Sequence, residues 1–541
     1  MEELDRRTKI MIMIAIMASM LFASLNQTIV GTALPRIIAE LGGMEYYSWV
    51  FTIYMLTSSV TGLLVGKLSD MYGRKPFILV GLGLFMLGAF LTGTSQDIIQ
   101  MILYRGLQGF GGGFIMSTAF SAVGDLFPPR ERGKWQGLMG AVFGMSAVIG
   151  PFLGGWIVDN TDWKWVFWVN LPIGVIAFLL ILRLFPKKAG KVEGRVDYAG
   201  AIFATGFLVP LLLAFSWGGS KYEWGSGMII GLFFGAFVSL LLFIWAESRA
   251  EQPVLPLALF KNGIFNVVNL IGFLSGVAMF GSIMYIPLFV QGVVGTSATA
   301  SGLVTMPMMV SMVACSALSG QITSRTGKYK FMALIGSVVL ALGMFLLTRM
   351  STETTNLVAS IDMIVVGAGL GFSMPILMLA VQNATSQSLI GVTSSAVQLF
   401  RQIGGTVGVA IMGTLMNHRI QDELSKILPD QVKQFLAAPQ MAEHAKDLTN
   451  PQLLVAPAQL AQIRHALPEQ AQPIFDQLIT ALKTALVAGL DEVFLVGFVI
   501  SLAALLITFF LKEIPLRTSN KDPEPAGPEN NNNPELQPSG S

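Results

Sequence analysis

The sequence is poor in charge. Only 12% of its 541 residues are Asp, Glu, Lys or Arg, against 53% hydrophobic residues. A soluble domain of that composition would lack the polar side chains to cover its surface, so the chain reads as an integral membrane protein. Cysteine is nearly absent, and Cys315 alone excludes an internal disulfide framework and a cysteine-ligated metal site. The three histidines, His418, His444 and His465, fall in one polar stretch, which argues against buried histidine chemistry. No Gly-x-x-x-x-Gly-Lys-Ser/Thr loop occurs, so ATP bound by this chain is not expected to supply energy. No nucleophile–base pair or metal constellation stands out, and the chain is not read as an enzyme. A net charge of +2 is too small to point to nucleic acid.

What the chain has instead is repeated apolar runs, each of roughly the twenty residues a helix needs to cross a bilayer. They lie near 10–34, 46–66, 76–95, 99–124, 136–158, 165–184, 197–217, 225–246, 264–292, 299–322, 331–349, 357–382, 393–416 and 490–511. The first is too long for a signal-peptide core and is read as a retained span. Alternating segments of strand type are absent, so the expected fold is all-α with about fourteen spans.

Basic residues set the orientation. Lys67, Arg74 and Lys75; Arg130, Arg132 and Lys134; Lys187, Lys188, Lys191 and Arg195; Arg325, Lys328 and Lys330; and the tail from Lys512 all fall on one side. That side is expected to be cytoplasmic, with both termini there and the chain in the cell membrane. Residues 417–485 then form an external loop, broken by prolines into short helices, and 513–541 a disordered tail.

Two stretches repeat. "GKLSDMYGRK" (Gly66 to Lys75) matches "GQITSRTGKYK" (Gly320 to Lys330) in glycine spacing, at an offset of 254 positions. "GFGGGF" (Gly109 to Phe114) matches "GAGLGF" (Gly367 to Phe372) at an offset of 258. Spans 1–6 therefore correspond to spans 9–14, with spans 7 and 8 inserted. The domains expected are a six-helix bundle over 1–190, two inserted helices over 191–262, and a second six-helix bundle over 263–512. Parallel halves of this kind are a transporter architecture with the substrate site between them.

At these residues the sequence resembles the major facilitator superfamily, and within it the fourteen-span branch of drug:proton antiporters. Gly66 to Lys75 is similar to the superfamily's motif between spans 2 and 3, and Arg105 to Gly109 to its span 4 motif. Gly144, Gly150, Pro151, Gly154 and Gly155 resemble the antiporter motif of span 5. Leu25 to Val30 with Ala33-Leu34-Pro35 resembles the span 1 signature. Trp163-Lys164-Trp165 with Asn170-Leu171-Pro172 resembles the start of span 6.

The resemblance implies a conformational switch built from Gly66, Asp70, Gly73, Arg74, Lys75 and Asp125. In it Asp70 faces the start of span 13 near Ser394 or Ser395, and Arg74 pairs with Asp125. Span 5 is expected to pack closely through its glycines and to flex at Pro151. Position 26 departs from the branch, which usually carries a proton-binding aspartate there; Asn26 cannot titrate. Either coupling runs through another group, or the residue mimics the protonated state. The interior candidates are then Asn26, Arg105 and Asp362, and a desolvated carboxyl at Asp362 would suit proton exchange. Gln27, Gln291, Gln382, Asn383, Gln398 and Gln402 are candidates for an otherwise apolar cavity. Arg401 either neutralises an anionic ligand or sits near the inner end of span 13, and the second is favoured.

The expected function is export of lipophilic compounds, cationic or neutral, by proton antiport with alternating access. An exporter of lipids or endogenous metabolites, or a non-transporting receptor on the same fold, are the alternatives. No cofactor is expected beyond protons as the coupling ion. The expected partners are small lipophilic molecules and membrane lipids, with the chain acting as a monomer.

Overall fold

The computed structural model describes residues 5–41, 49–186, 197–219, 222–296, 298–437, 448–449, 453–454, 457–468 and 471–516. Backbone polar groups inside a bilayer must bond within their own segment, and the apolar runs meet that demand as helices. The first half comprises α1 (Arg6–Leu41), α2 (Trp49–Tyr72), α3 (Arg74–Gly93), α4 (Ile98–Leu126) and α5 (Pro129–Asn160). Its sixth crossing is built from the short α6 (Trp165–Trp168) and α7 (Leu171–Leu184). Two inserted helices follow, α8 (Tyr198–Trp217) and α9 (Gly227–Glu247). The second half holds α10 (Gly263–Gly292), α11 (Ala298–Thr326), α12 (Lys330–Leu347), α13 (Asn356–Asn383), α14 (Ile390–Ile427), α15 (Asp430–Ala437), α16 (Pro457–Ala466) and α17 (Gln472–Phe509).

Thirteen helical segments among the described residues are long and apolar enough to cross a membrane. Helix α4 is diluted by Arg105 and five glycines between Gly106 and Gly113, yet it is 29 residues long and packs on both α2 and α3. The fold is therefore an all-α membrane fold of two six-helix bundles and two inserted helices. Large apolar side chains such as Leu103, Phe152 and Phe234 point outward, as lipid-facing positions should.

The duplication is visible in packing. Helices α2 and α3 lie on α4 as α11 and α12 lie on α13, and α1 lies on α5 and α7 as α10 lies on α14 and α17. Single residues keep the register. Gly73 and Gly327 both take left-handed backbone, at φ 89° and 72°, which explains glycine at each site. Gly150 packs against Thr28 of α1, and Gly408, 258 positions later, against Val277 of α10. Lys75 donates to the Leu182 and Phe185 carbonyls at 2.7 Å, and Lys330 to the Phe509 carbonyl at 2.8 Å. Each cation thereby caps the end of the last helix of its own bundle.

The bundles meet along two seams, α2 with α14 and α5 with α11. Because α2 corresponds to α11 and α5 to α14, a twofold operation exchanges the seams. Both are tight at the face that carries Lys67, Arg74, Arg132, Arg325 and Lys330, called here the basic face. The inserted pair bridges the bundles at the opposite face: Trp217 packs at a tilt against Trp49 of α2, ring centres 5.5 Å apart, and Trp224 donates to Thr414 of α14 at 3.0 Å.

Several boundaries differ from expectation. The stretch Gly66 to Tyr72 is the last two turns of α2 rather than loop, so Gly73 alone turns the chain into α3. The external segment is not only short helices. Helix α14 runs on to Ile427 and α17 starts at Gln472, because Ile420, Leu424, Leu482 and Leu486 keep an apolar face that buries outside the spans. The start of the tail is ordered: Tyr329 donates to the Lys512 carbonyl at 2.7 Å and accepts from the Ile514 amide at 3.0 Å. The disorder expected for the tail beyond residue 516, and the boundary near 191, lie outside the described residues.

Candidate functional site

At the basic end of α2, Asp70 accepts from the backbone amides of Gly391 and Val392, both at 3.1 Å. These are the first free amides of α14, whose N-terminus favours an anion. The carboxylate thus meets that helix three residues earlier than Ser394, because α14 begins at Ile390. Arg74 donates to Asp70, to Asp125 of α4 at 2.9 Å and to the Ser69 hydroxyl at 2.6 Å. Gln387 ties Asp125 to the second bundle through a 2.9 Å bond. Asp70, Arg74 and Asp125 are all largely shielded from solvent, so the network works in a low-dielectric setting where its charges act strongly.

Close approach makes these bonds reachable. A methyl on Gly66 would lie 2.9 Å from the Gly391 carbonyl oxygen. On the other seam Gly133, Gly137, Gly140 and Gly144 form one stripe of α5 against Gly320, Ser316 and Val313 of α11. Of the expected antiporter residues, Gly144 sits in that seam and Gly150 against α1; Pro151, Gly154 and Gly155 continue the same helix.

A second cluster lies inside the first bundle. Arg105 is completely buried, not reaching for headgroups, and donates to Asn26 Oδ1 at 3.2 Å and Gln108 Oε1 at 2.7 Å. Gln108 also donates to Asn26 Oδ1 at 2.8 Å, and the Arg105 guanidinium lies 4.7 Å from the centre of the Tyr54 ring. Asn26 Nδ2 and Arg105 Nη2 are buried with no hydrogen-bond partner. Helices α1, α2 and α4 converge on this point. Asp362 is also buried, but it stands on α13 in the other bundle, apart from Asn26 and Arg105.

The expected cavity residues divide. Gln398 and Gln402 lie on α14 and are partly exposed, as is Gln27 on α1. Gln382 does not line a cavity: it is buried in the seam, donating to Ser394 at 2.8 Å and accepting from Gln136 at 3.0 Å. Asn383 is likewise buried at the basic end, donating to the Pro515 carbonyl at 3.2 Å. The cause is helix length, since α13 runs 28 residues and puts both in its last turn. Gln291 sits one residue from the end of α10, away from mid-depth.

Sequence reasoning gave Gln108 no role beyond the span 4 motif and missed Arg132. Gln108 follows Arg105 by three positions, a spacing that places both on one helix face and could have revealed it. Arg132 counted only as a loop charge. It is buried, donating to the Phe127 carbonyl at 2.9 Å, the Gly124 carbonyl at 2.8 Å and, across the seam, the Gln382 carbonyl at 3.3 Å. No sequence signal marked it.

The family model described as Major Facilitator Superfamily matches residues 16–409. The multidrug transporter protein MdtP of Bacillus subtilis is 41% identical over 94% of this chain and 93% of its own length. Multidrug resistance protein 3 of Bacillus subtilis is 36% identical over 76% of this chain and 81% of its own. Among solved structures, the proton:xylose symporter XylE superposes with a TM-score of 0.57 at 14% identity, covering 77% of this chain and 90% of that one. At that identity the likeness is one of fold.

Proposed function

We propose that this chain, which belongs to the Major Facilitator Superfamily, exports lipophilic compounds, neutral or cationic, in exchange for protons. It does so from the cell membrane, with its basic face toward the cytoplasm. The two bundles rock about a central crevice, and the arrangement described here is the one closed on the cytoplasmic side. Likeness to multidrug transporters over nearly the whole chain supports efflux. Parting the seams requires Asp70 to leave the α14 N-terminus and Gln387 to leave Asp125, so these contacts act as the latch between states.

The observation that carries proton coupling is the bookkeeping around position 26. Asn26 Oδ1 takes two donors while its Nδ2 finds no acceptor. An acceptor-only group of the same shape, a carboxylate, would satisfy the site and form a buried pair with Arg105. Protonating that carboxylate would weaken the pair, which links proton binding to helix position. With asparagine in place this step is blocked at position 26, and buried Asp362 on α13 takes it over in this reading.

Reconstitution in proteoliposomes with an imposed pH gradient tests the reading. Ethidium movement should follow the gradient and should be faster in Asn26→Asp than in the chain as it stands. Equal rates would move coupling to Asp362. No gradient-driven movement in either form would rule out proton antiport.

A further inference from the structure

The second bundle carries an interior arginine that the coupling scheme does not use. Arg401 lies eleven residues beyond Ile390 on α14, about 16 Å along the axis at 1.5 Å per residue. That is mid-depth, not the inner end of the span. Along the same helix Gly391 and Ser395 face the first bundle, where Ser395 pairs with Ser117 at 2.6 Å. Gln398 and Gln402 continue this row at helical spacing, and Arg401 flanks it on the side of α13.

The surroundings of Arg401 are unusually neutral. Nη2 donates to Gln398 Oε1 and Nη1 reaches Met374 Sδ at 3.2 Å. A thioether is a weak acceptor and a carboxamide carries no charge. None of the ion pairs among the described residues includes Arg401. Arg105 differs, being wholly enclosed, whereas Arg401 is partly exposed. The duplication does not require a charge here, since α5 carries Phe143 at the offset of 258 that aligns Gly150 with Gly408. A partly exposed ionisable side chain at membrane mid-depth, with no ion-pair partner, is a functional position by default.

We propose that Arg401 with Gln398 forms an anion-accepting subsite of the central crevice, so that amphiphilic carboxylates and sulfonates are among the compounds this protein takes. The guanidinium offers a planar fork to such a head group, and Gln398 releases it by turning its carboxamide to donate as well. Met374, beside the guanidinium, would receive the hydrophobic body, a task suited to a flexible thioether. The inference rests on the central crevice of the export reading, and it does not depend on proton coupling.

The test is equilibrium binding to the full chain in nanodiscs without any gradient, using taurocholate as the anionic probe and ethidium as the cationic one. Arg401→Gln should weaken taurocholate at least tenfold and leave ethidium within twofold. Arg401→Lys should restore part of the loss, because a charge without the fork remains. Equal losses for both probes, or wild-type protein that does not bind taurocholate, would overturn the proposal. Unchanged thermal unfolding of Arg401→Lys guards against a folding defect. Failure of gradient-driven efflux would bear on the export mechanism alone, since this readout uses none.

Discussion

The two seams between the bundles are copies in geometry and opposites in chemistry. On α2 and α14, Gly66 meets Gly391 and Ser395, and Asp70 reaches the start of the facing helix. On α11 and α5, Gly320 meets Gly133 as closely, but Ser324 stands where the repeat would put the acid. One seam therefore closes by packing plus charge and the other mainly by packing. Duplication preserved the small residues that set the approach of the backbones, while the ionic latch exists once. A rocking transporter needs both seams to part, but only one needs a trigger.

The largest effect should come from Asp70→Asn. It leaves Arg74 buried with half its compensation and removes the anion from the α14 N-terminus. Breaking one partner of a buried pair costs about 3–5 kcal/mol. Cysteine accessibility at the basic face should rise sharply, and efflux should fall to near background. Unchanged accessibility would mean that the charged seam is not what closes that face.

Gly320→Ala probes the seam that has no acid matching Asp70. Its methyl would collide with the Gly133 carbonyl, an overpacking that costs about 1–3 kcal/mol. It should loosen closure less than Asp70→Asn, while Gly83→Ala, with open space around it, should be silent in the same labelling assay. Next come Gly73→Ala and Gly327→Ala. Both force a side chain into left-handed backbone at roughly 1–2 kcal/mol each. Equal drops in thermal stability would fit the shared turn, with loss of transport confined to Gly73→Ala because its turn supports the ionic latch. The smallest change is Ser324→Asp, which gives the plain seam an acid near a helix start. A gain of about 0.3–1 kcal/mol in closure is expected, read as slower labelling; faster labelling would deny the symmetry between seams.

Much of this comparison was legible in the sequence. The spacing of Gly66 and Gly73 against Gly320 and Gly327 exposed the repeat, because close approach and positive φ leave glycine few substitutes. Runs of apolar residues mark all fourteen crossings, α4 among them even though Arg105 and its glycines lower its hydropathy. Helix ends were harder to read. Starting span 13 at 393 rather than 390 moved the expected partner of Asp70, and with no fixed boundary Arg401 was put at the wrong depth. Gln382 and Asn383 read as cavity residues because polarity in a span looks alike whether it faces a crevice or a seam. The external parts of α14 and α17 hid for another reason: their polar faces dominate composition while a narrow apolar stripe does the packing. Arg132 shows the limit, as a loop arginine and a buried bridge share one letter.

Paired spin labels on the basic face test the central claim most directly. One pair would sit at Tyr72 and Ser388 across the α2–α14 seam, the other at Glu131 and Thr326 across the α5–α11 seam, all four side chains being exposed. In Asn26→Asp protein reconstituted in lipid, a change of pH should lengthen both distances together, as rigid bundles turning about one axis demand. One distance moving while the other stays fixed, or both holding still while efflux proceeds, would contradict the account.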